Sequence, residues 1–222
     1  DDDKTDYYFI NSIGSDEVGT GDYFGPIIVC ASYVNRKDIS FLEELGVRDS
    51  KKLTDDKILK IAPEIIKRIP HQEEIISNSE YNNMQDNGYN MNKIKAIYHN
   101  KAILGLMKKD NFVYDMVVVD QFTPERNYYN YLKSEPNVFR KIKFTTKAED
   151  KCLSVACSSI ISRYLFLKEI EKMGNSLGSF IPKGASTLVD DYGKKIVQNF
   201  GKEKLRSIAK LNFKNTEKIL NN

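Results

Sequence analysis

Two periods of apolar and polar positions alternate along this chain. Residues 7–16 are rich in β-formers and predict a strand, after which Gly14, Gly19, Gly21 and Gly25 punctuate a tight connection. Residues 26–34 form a nearly continuous apolar run, the pattern of a central strand buried on both faces. The period then changes. Ile58, Ile61, Ile65, Ile66 and Ile69 recur at helical spacing, with Thr54 as N-cap ahead of Asp55 and Asp56 and Pro70 as the stop. A short strand is expected over 73–77. A second helix is expected over 93–108, carried by Ile94, Ile97, Leu104 and Met107. Residues 116–119 are a β-branched run closed by Asp120, and 140–145 alternates Ile142 and Phe144 with basic residues, as an edge strand does. The longest helical pattern covers 149–173, and lysine-rich helices fill the chain after Pro182. Strands in a run, then strands alternating with helices, predict a mixed α/β sheet with helices on its faces. No repeat or linker interrupts the pattern, so one domain over 5–222 is expected.

Composition narrows the class. With 41% hydrophobic and 29% charged residues, the chain can bury a core and is not a disordered segment. The apolar run at 26–34 is too short to span a bilayer, and no basic-then-apolar leader opens the sequence. Three cysteines, an odd number without metal-ligand spacing, fit a reducing cytoplasm. The opening Asp1-Asp2-Asp3-Lys4 reads as the remnant of an engineered protease site and is set aside. Without it the net charge moves from +3 to +5, and all of that excess lies after Pro182, where nine Lys/Arg face four Asp/Glu. Two readings of that segment stand: a surface for a polyanion, or a solvated lysine-rich helix face.

Candidate chemistry concentrates in Gly14 to Pro26, GSDEVGTGDYFGP. Asp16 and Glu17 sit where a strand ends. Neighbouring carboxylates resist ionising together, and a divalent cation reverses that cost. Strict strand geometry sends the two side chains to opposite faces, so a shared site calls for a bend near residue 17. Asp120 closes a buried strand, and sites in α/β sheets lie at the carboxyl ends of strands. Histidine is scarce. His71 follows a helix end and His99 lies within a helical pattern, so both read as structural. A ribonuclease that uses the substrate 2′-hydroxyl as nucleophile usually needs a histidine pair, and this sequence offers none in a suggestive place. Triad-hydrolase, zincin and P-loop motifs are missing, and Gly19-Thr20-Gly21 alone lacks the rest of a dinucleotide fingerprint.

The motif set as a whole resembles the type 2 ribonucleases H, most closely ribonuclease HIII. The matching pieces are GSDEVGTGDYFGP, DSKKL at 49–53, VVVDQF at 117–122, KAEDKCLSVACSSIISRY at 147–164 and PKGAS at 182–186, in the family's order. Ribonuclease HII typically carries Arg where this chain has Thr20, so Thr20 together with DQF favours type HIII. The resemblance implies an RNase H-like mixed five-stranded sheet with flanking helices, and hydrolysis of the RNA strand of RNA–DNA hybrids. It implies Mg²⁺ or Mn²⁺, two ions held by four acids. Asp16, Glu17 and Asp120 match the first three. Glu149, in Lys147-Ala148-Glu149, matches the segment carrying the fourth acid in ribonuclease HII, with Asp150 and Glu125 as competitors. Gly19, Thr20 and Gly21 are expected at the nucleic-acid backbone, where the 2′-hydroxyl distinguishes RNA from DNA. Lys51, Lys52, Arg163 and Lys183 are expected at phosphates. A monomeric, cytoplasmic enzyme is expected, without membrane or protein partner. The family usually carries an additional N-terminal substrate-binding domain, and this sequence is expected to hold the catalytic domain without it.

Overall fold

The computed structural model describes residues 7–221, so the tag-like residues 1–4 lie outside the described part. A five-stranded sheet has the order β3-β2-β1-β4-β5, with β1 Ser12–Val18, β2 Ile27–Val34, β3 His71–Ile76, β4 Met116–Asp120 and β5 Ile142–Thr145. The helices are α1 Ile39–Leu45, α2 Asp55–Arg68, α3 Asn78–Asp86, α4 Met91–Met107, α5 Glu125–Tyr131, α6 Ala148–Lys151, α7 Leu153–Leu177, α8 Thr187–Phe200, α9 Leu205–Ile208 and α10 Asn215–Leu220. The expected α/β class and sheet size are both present.

The described chain forms two compact units, interleaved along the sequence. One comprises the described residues up to Val18 with Val29–Glu74 and Asn92–Tyr164, and the other comprises Gly19–Ile28, Ile75–Met91 and Leu165 onwards. Because each unit is assembled from separated segments, no linker marks a boundary, and the sequence reads as continuous.

Local chemistry explains the elements. All eight residues of β2 are buried, as its unbroken apolar run demands. Thr54 caps α2 by accepting a hydrogen bond from Lys57 N at 3.2 Å, with Asp55 and Asp56 in the positive first turn and Lys67 and Arg68 in the last. β1 and β4 run parallel with Ser12 opposite Met116 and Ser15 opposite Val119. β4 and β5 are also parallel, with Asp120 opposite Thr145. That register brings the carboxyl ends of β1, β4 and β5 to one edge of the sheet. β5 lies at the edge of the sheet, as its alternation predicts.

Gly14 is a strand residue, contrary to its reading as part of the connection. A Cβ there would lie 2.4 Å from Val155 N and 2.5 Å from Ser154 Oγ, so its bare backbone lets α7 pack directly on β1. Ser158 Oγ donates to Gly14 O at 2.7 Å and lies 2.8 Å from Ser32 Oγ, tying the same helix to β1 and β2. The expected single helix over 149–173 is broken. Cys152 is extended (φ −141°, ψ 119°) and separates α6 from α7, and its thiol meets Ser12 and Ser154.

In the second unit, the 19–26 connection packs on the C-terminal segment. Lys210 N donates to Tyr23 O, Gly25 N to Ile208 O, and Asn82 Nδ2 to both Arg206 O and Ala209 O.

Candidate active site

β1 runs to Val18, so both Asp16 and Glu17 lie within the strand near its end. Ser15 and Glu17 share a face, and both meet His99 of α4. Glu17 is gripped at both oxygens. Lys95 Nζ stands 2.5 Å from Oε1 and His99 Nε2 donates to Oε2 at 2.7 Å. His99 Nδ1 is 2.5 Å from Ser15 Oγ. The imidazole is fully buried, and Phe122 stacks on it with centroids 5.4 Å apart. Burial pushes the Glu17 carboxyl up, but the His99 and Lys95 contacts outweigh it and hold the group at about 2.

Asp16 feels the other acids. Burial raises its carboxyl well above the ordinary carboxylate value, and the charges of Glu17, Asp120 and Glu149 act the same way. Against them, Asp16 Oδ1 accepts a hydrogen bond from Glu17 N at 2.8 Å. Asp120 ends β4, and its Oδ1 accepts from Ala148 N at 3.1 Å. Lys147 makes that contact possible. It turns β5 into α6 in the left-handed region (φ 52°), the only non-glycine with positive φ among the described residues. The turn sets Glu149 in the first turn of α6, partly buried, 3.4 Å from the Ser50 hydroxyl that donates to it. A non-glycine residue in this region costs on the order of 1–2 kcal/mol, and such strain gathers at functional sites.

Lys51 reaches the same group, 2.9 Å from Asp150 Oδ2 and 3.7 Å from Glu149 Oε1. The hydrogen bond to Asp150 raises its ammonium above the ordinary lysine value, with the Glu149 and Asp120 charges adding to it. The first unit therefore assembles Asp16, Glu17, Asp120, Glu149 and Lys51. Lys52 is exposed on the 3₁₀ turn Val47–Lys52. Arg163 makes a two-pronged contact with Asp55 (Nε–Oδ1 3.0 Å, Nη2–Oδ2 3.1 Å), so a phosphate would have to compete for it. Glu125 is exposed at the start of α5 and does not figure among the charges acting on Asp16.

The second unit joins the remaining candidates. Tyr23 N donates to Gly184 O at 2.9 Å and Gly184 N to Asp22 Oδ1 at 2.7 Å, which docks the PKGAS segment on the glycine loop next to exposed Lys183. The two glycines differ. Gly19 has φ +104° and a Cβ there would lie 2.3 Å from Pro26 O, so an internal contact uses its freedom. Gly21 is exposed and a Cβ would meet nothing within 4 Å.

By kind, the donors suit a hard cation: carboxylate oxygens, without thiolate or imidazole in the set. As the side chains stand, however, no group of three or more His, Cys, Asp or Glu among the described residues is set to hold a metal ion. The Glu17 carboxylate is turned to α4 and engaged at both oxygens. Sequence reasoning missed Lys95 and read His99 as structural, without placing it against Glu17. The available signal was their i, i+4 spacing on a helix otherwise dominated by apolar residues.

The family model described as Ribonuclease HII matches residues 13–216. Ribonuclease HIII of Phytoplasma mali (strain AT) is 49% identical over 209 residues, 94% of this chain and 72% of that protein. Ribonuclease HIII of Lactococcus lactis subsp. lactis is 46% identical over 211 residues, 95% of this chain and 72% of that protein. Among solved structures, Bst-RNase HIII in complex with Mn²⁺ matches with a TM-score of 0.94 at 40% identity, over 97% of this chain and 70% of that one. Ribonuclease H2 from Pyrococcus horikoshii OT3, 21% identical, shares the fold with a TM-score of 0.75 over 94% of this chain and 96% of that one.

Proposed function

The chain belongs to the ribonuclease HII family of type 2 ribonucleases H, and from that premise we propose that it is an endonuclease cutting the RNA strand of RNA–DNA hybrids with divalent metal ions. The observation that carries the reading is the carboxylate group at one sheet edge, where Glu17, Asp120 and Glu149 all act on Asp16. A carboxyl raised by burial and by neighbouring acids, as Asp16 is, is costly to keep ionised, and a site for Mg²⁺ or Mn²⁺ accounts for that cost. Asp16, Glu17, Asp120 and Glu149 are the proposed ligands, for two ions. Ions held there would supply an activated water and neutralise charge on the phosphate. Support for Glu149 as the fourth acid comes from its place in the first turn of α6 and its influence on Asp16. Exposed Glu125 has neither.

The chain's own groups divide the remaining work. Asp120 fixes the turn that carries Glu149 through its bond to Ala148 N. Lys51 lies beside these acids and is the cation best placed to orient a phosphate brought to them. The backbone around Thr20 and Gly21 is open enough for a nucleic-acid strand to approach, which suits a reader of the 2′-hydroxyl. Lys52, Lys183 and Arg163 are proposed phosphate contacts, with Arg163 having to leave Asp55.

The test compares the parent with Glu149→Gln and Glu125→Gln on an RNA–DNA hybrid, double-stranded DNA and double-stranded RNA, in Mg²⁺. The parent should cut only the hybrid, in its RNA strand. Glu149→Gln should lose at least about a hundredfold in rate, roughly 2.7 kcal/mol of transition-state stabilisation, and Glu125→Gln should stay within a few-fold. Equal cutting of double-stranded DNA would sink the substrate reading. A loss in Glu125→Gln alone would move the fourth acid to α5.

A further inference from the structure

Glu17 is held by a cation as well as by a hydrogen bond, and that cation is unusual in its setting. Lys95 and His99, one turn apart on α4, approach the carboxylate from the same helix face, the lysine at Oε1 and the imidazole at Oε2. The Lys95 side chain is only 11% exposed and that of Glu17 12%, so this pair is largely removed from water. Behind the ammonium lies the face of Phe122, 4.3 Å from Nζ to the ring centroid. Phe122 also stacks on His99, so one ring braces both arms of the grip.

Stability alone is a weak reason for such a pair. Desolvating a lysine and a glutamate costs about as much as their attraction returns, and an apolar pair of similar shape would serve the fold as well. The surroundings give a better reason. The Asp16 carboxyl already feels Glu17, Asp120 and Glu149, and Lys95 brings a positive charge to this cluster from within the chain. Its ammonium occupies an oxygen of one of the proposed metal ligands.

We propose that Lys95 is an internal cation that holds Glu17 Oε1 in the metal-free protein and competes with the divalent ion for that oxygen, thereby lowering metal affinity. The inference rests on the reading of Glu17 as a metal ligand. It assigns the two arms different work. His99, anchored to Ser15 and buried, sets the orientation of the carboxylate through Oε2. Lys95 is the exchangeable arm, with a flexible stem and an aromatic face that keeps the ammonium when the oxygen is taken. An ion displacing it replaces one positive charge with two, and no bond or proton is transferred. The empty cluster is then partly neutralised, and the ligand set forms only when an ion outcompetes the lysine.

The sign of the effect separates this role from a purely structural clamp. A clamp that pre-orients Glu17 predicts weaker metal binding when Lys95 is lost. An internal competitor predicts tighter binding. Mn²⁺ binding without substrate would be measured from the free-ion paramagnetic resonance signal for the parent, Lys95→Met, Lys95→Arg and Asp16→Asn. Lys95→Met should bind at least about fivefold tighter, because a nearby unit charge is removed from a poorly solvated site. Lys95→Arg, which keeps the charge, should remain within about twofold of the parent, and Asp16→Asn should bind weakly. Melting in EDTA checks that each variant is folded, and Lys95→Gln takes the place of Lys95→Met if the latter is not. Unchanged or weaker binding in the neutral variant, with normal binding by the parent, would overturn the competition alone. No Mn²⁺ uptake by the parent would overturn the metal reading of the acid cluster and this inference with it.

Discussion

Lys210 lies wholly inside the second unit, where its ammonium donates to Asp22 O and Gly25 O at 2.6 Å each. It thereby fastens the connection that carries Gly19, Thr20 and Gly21 to the C-terminal segment. Burial pulls this lysine down to about 7, and the Asp22 charge restores part of the loss. The consequence for stability has a definite sign. A folded-state value below the unfolded one means that, between about pH 7 and 10, the unfolded chain holds a proton that the folded chain has released. Stability contributed by Lys210 therefore rises with pH across that window, by at most about 1.4 kcal/mol per pH unit, and the penalty is fully present below it. In urea titrations from pH 6.5 to 9.5, the parent should gain stability relative to Lys210→Met as pH rises. Parallel curves would show that the buried ammonium keeps an ordinary affinity for its proton. The sequence offered Lys210 only as one more positive charge in a basic segment. Its burial depends on two carbonyls nearly two hundred positions away, which no local pattern records.

At the scale of elements, the readable features were those written in a single segment. Thr54 and the isoleucine spacing specify α2, the apolar run specifies β2, and the β-branched run with its terminal Asp120 specifies β4. Elements shaped by a partner were not readable. The break at Cys152 answers to Ser12 and Ser154, and the left-handed turn at Lys147 answers to the bond between Ala148 N and Asp120. Of the candidate site, Asp16, Glu17 and Asp120 could be singled out because they lie at or near strand ends, whereas Glu149, in the first turn of α6, was singled out only through the family resemblance. The α4 grip on Glu17 was not, because pairing Lys95 and His99 with β1 requires the three-dimensional packing. Gly14 and Gly21 make this distinction testable. In Gly14→Ala the new methyl meets the backbone of α7, which cannot swing aside, and overpacking of this kind costs about 1–3 kcal/mol. Gly21→Ala adds a methyl to open space on a residue without positive φ and should leave the urea midpoint nearly unchanged. It should nonetheless weaken hybrid binding if the strand approaches this backbone closely. A Gly14→Ala protein as stable as the parent would mean that β1 and α7 can separate at little cost.

Across the whole molecule, the charge seen by a polyanion is smaller than the sequence count. The segment after Pro182 carries nine basic residues against four acidic ones, but Lys210 is enclosed and Arg206 is committed to Asp86 and Asn83 at 2.6 Å each. Exposed Lys202 and partly exposed Lys204, in the 3₁₀ turn between α8 and α9, remain available to phosphates. None of the helices formed by the described residues is long and apolar enough to cross a membrane. If this segment tracks a nucleic-acid backbone, counterion release makes affinity fall linearly with salt on logarithmic axes, with a slope of about 0.9 per neutralised phosphate on a duplex. Hybrid binding should therefore be measured between 50 and 200 mM salt (roughly the range over which such contacts are resolved) in Ca²⁺ or without metal, so that cleavage does not intervene. Replacing Lys202 and Lys204 together by Gln should reduce the slope by about one to two. Arg206→Gln should leave the slope as it is and instead lower the melting temperature, because it frees Asp86 and Asn83 from their partner. A double-lysine variant with the parent's slope would assign these charges to solvent, and a reduced slope in Arg206→Gln would mean that Arg206 leaves Asp86 when the hybrid binds.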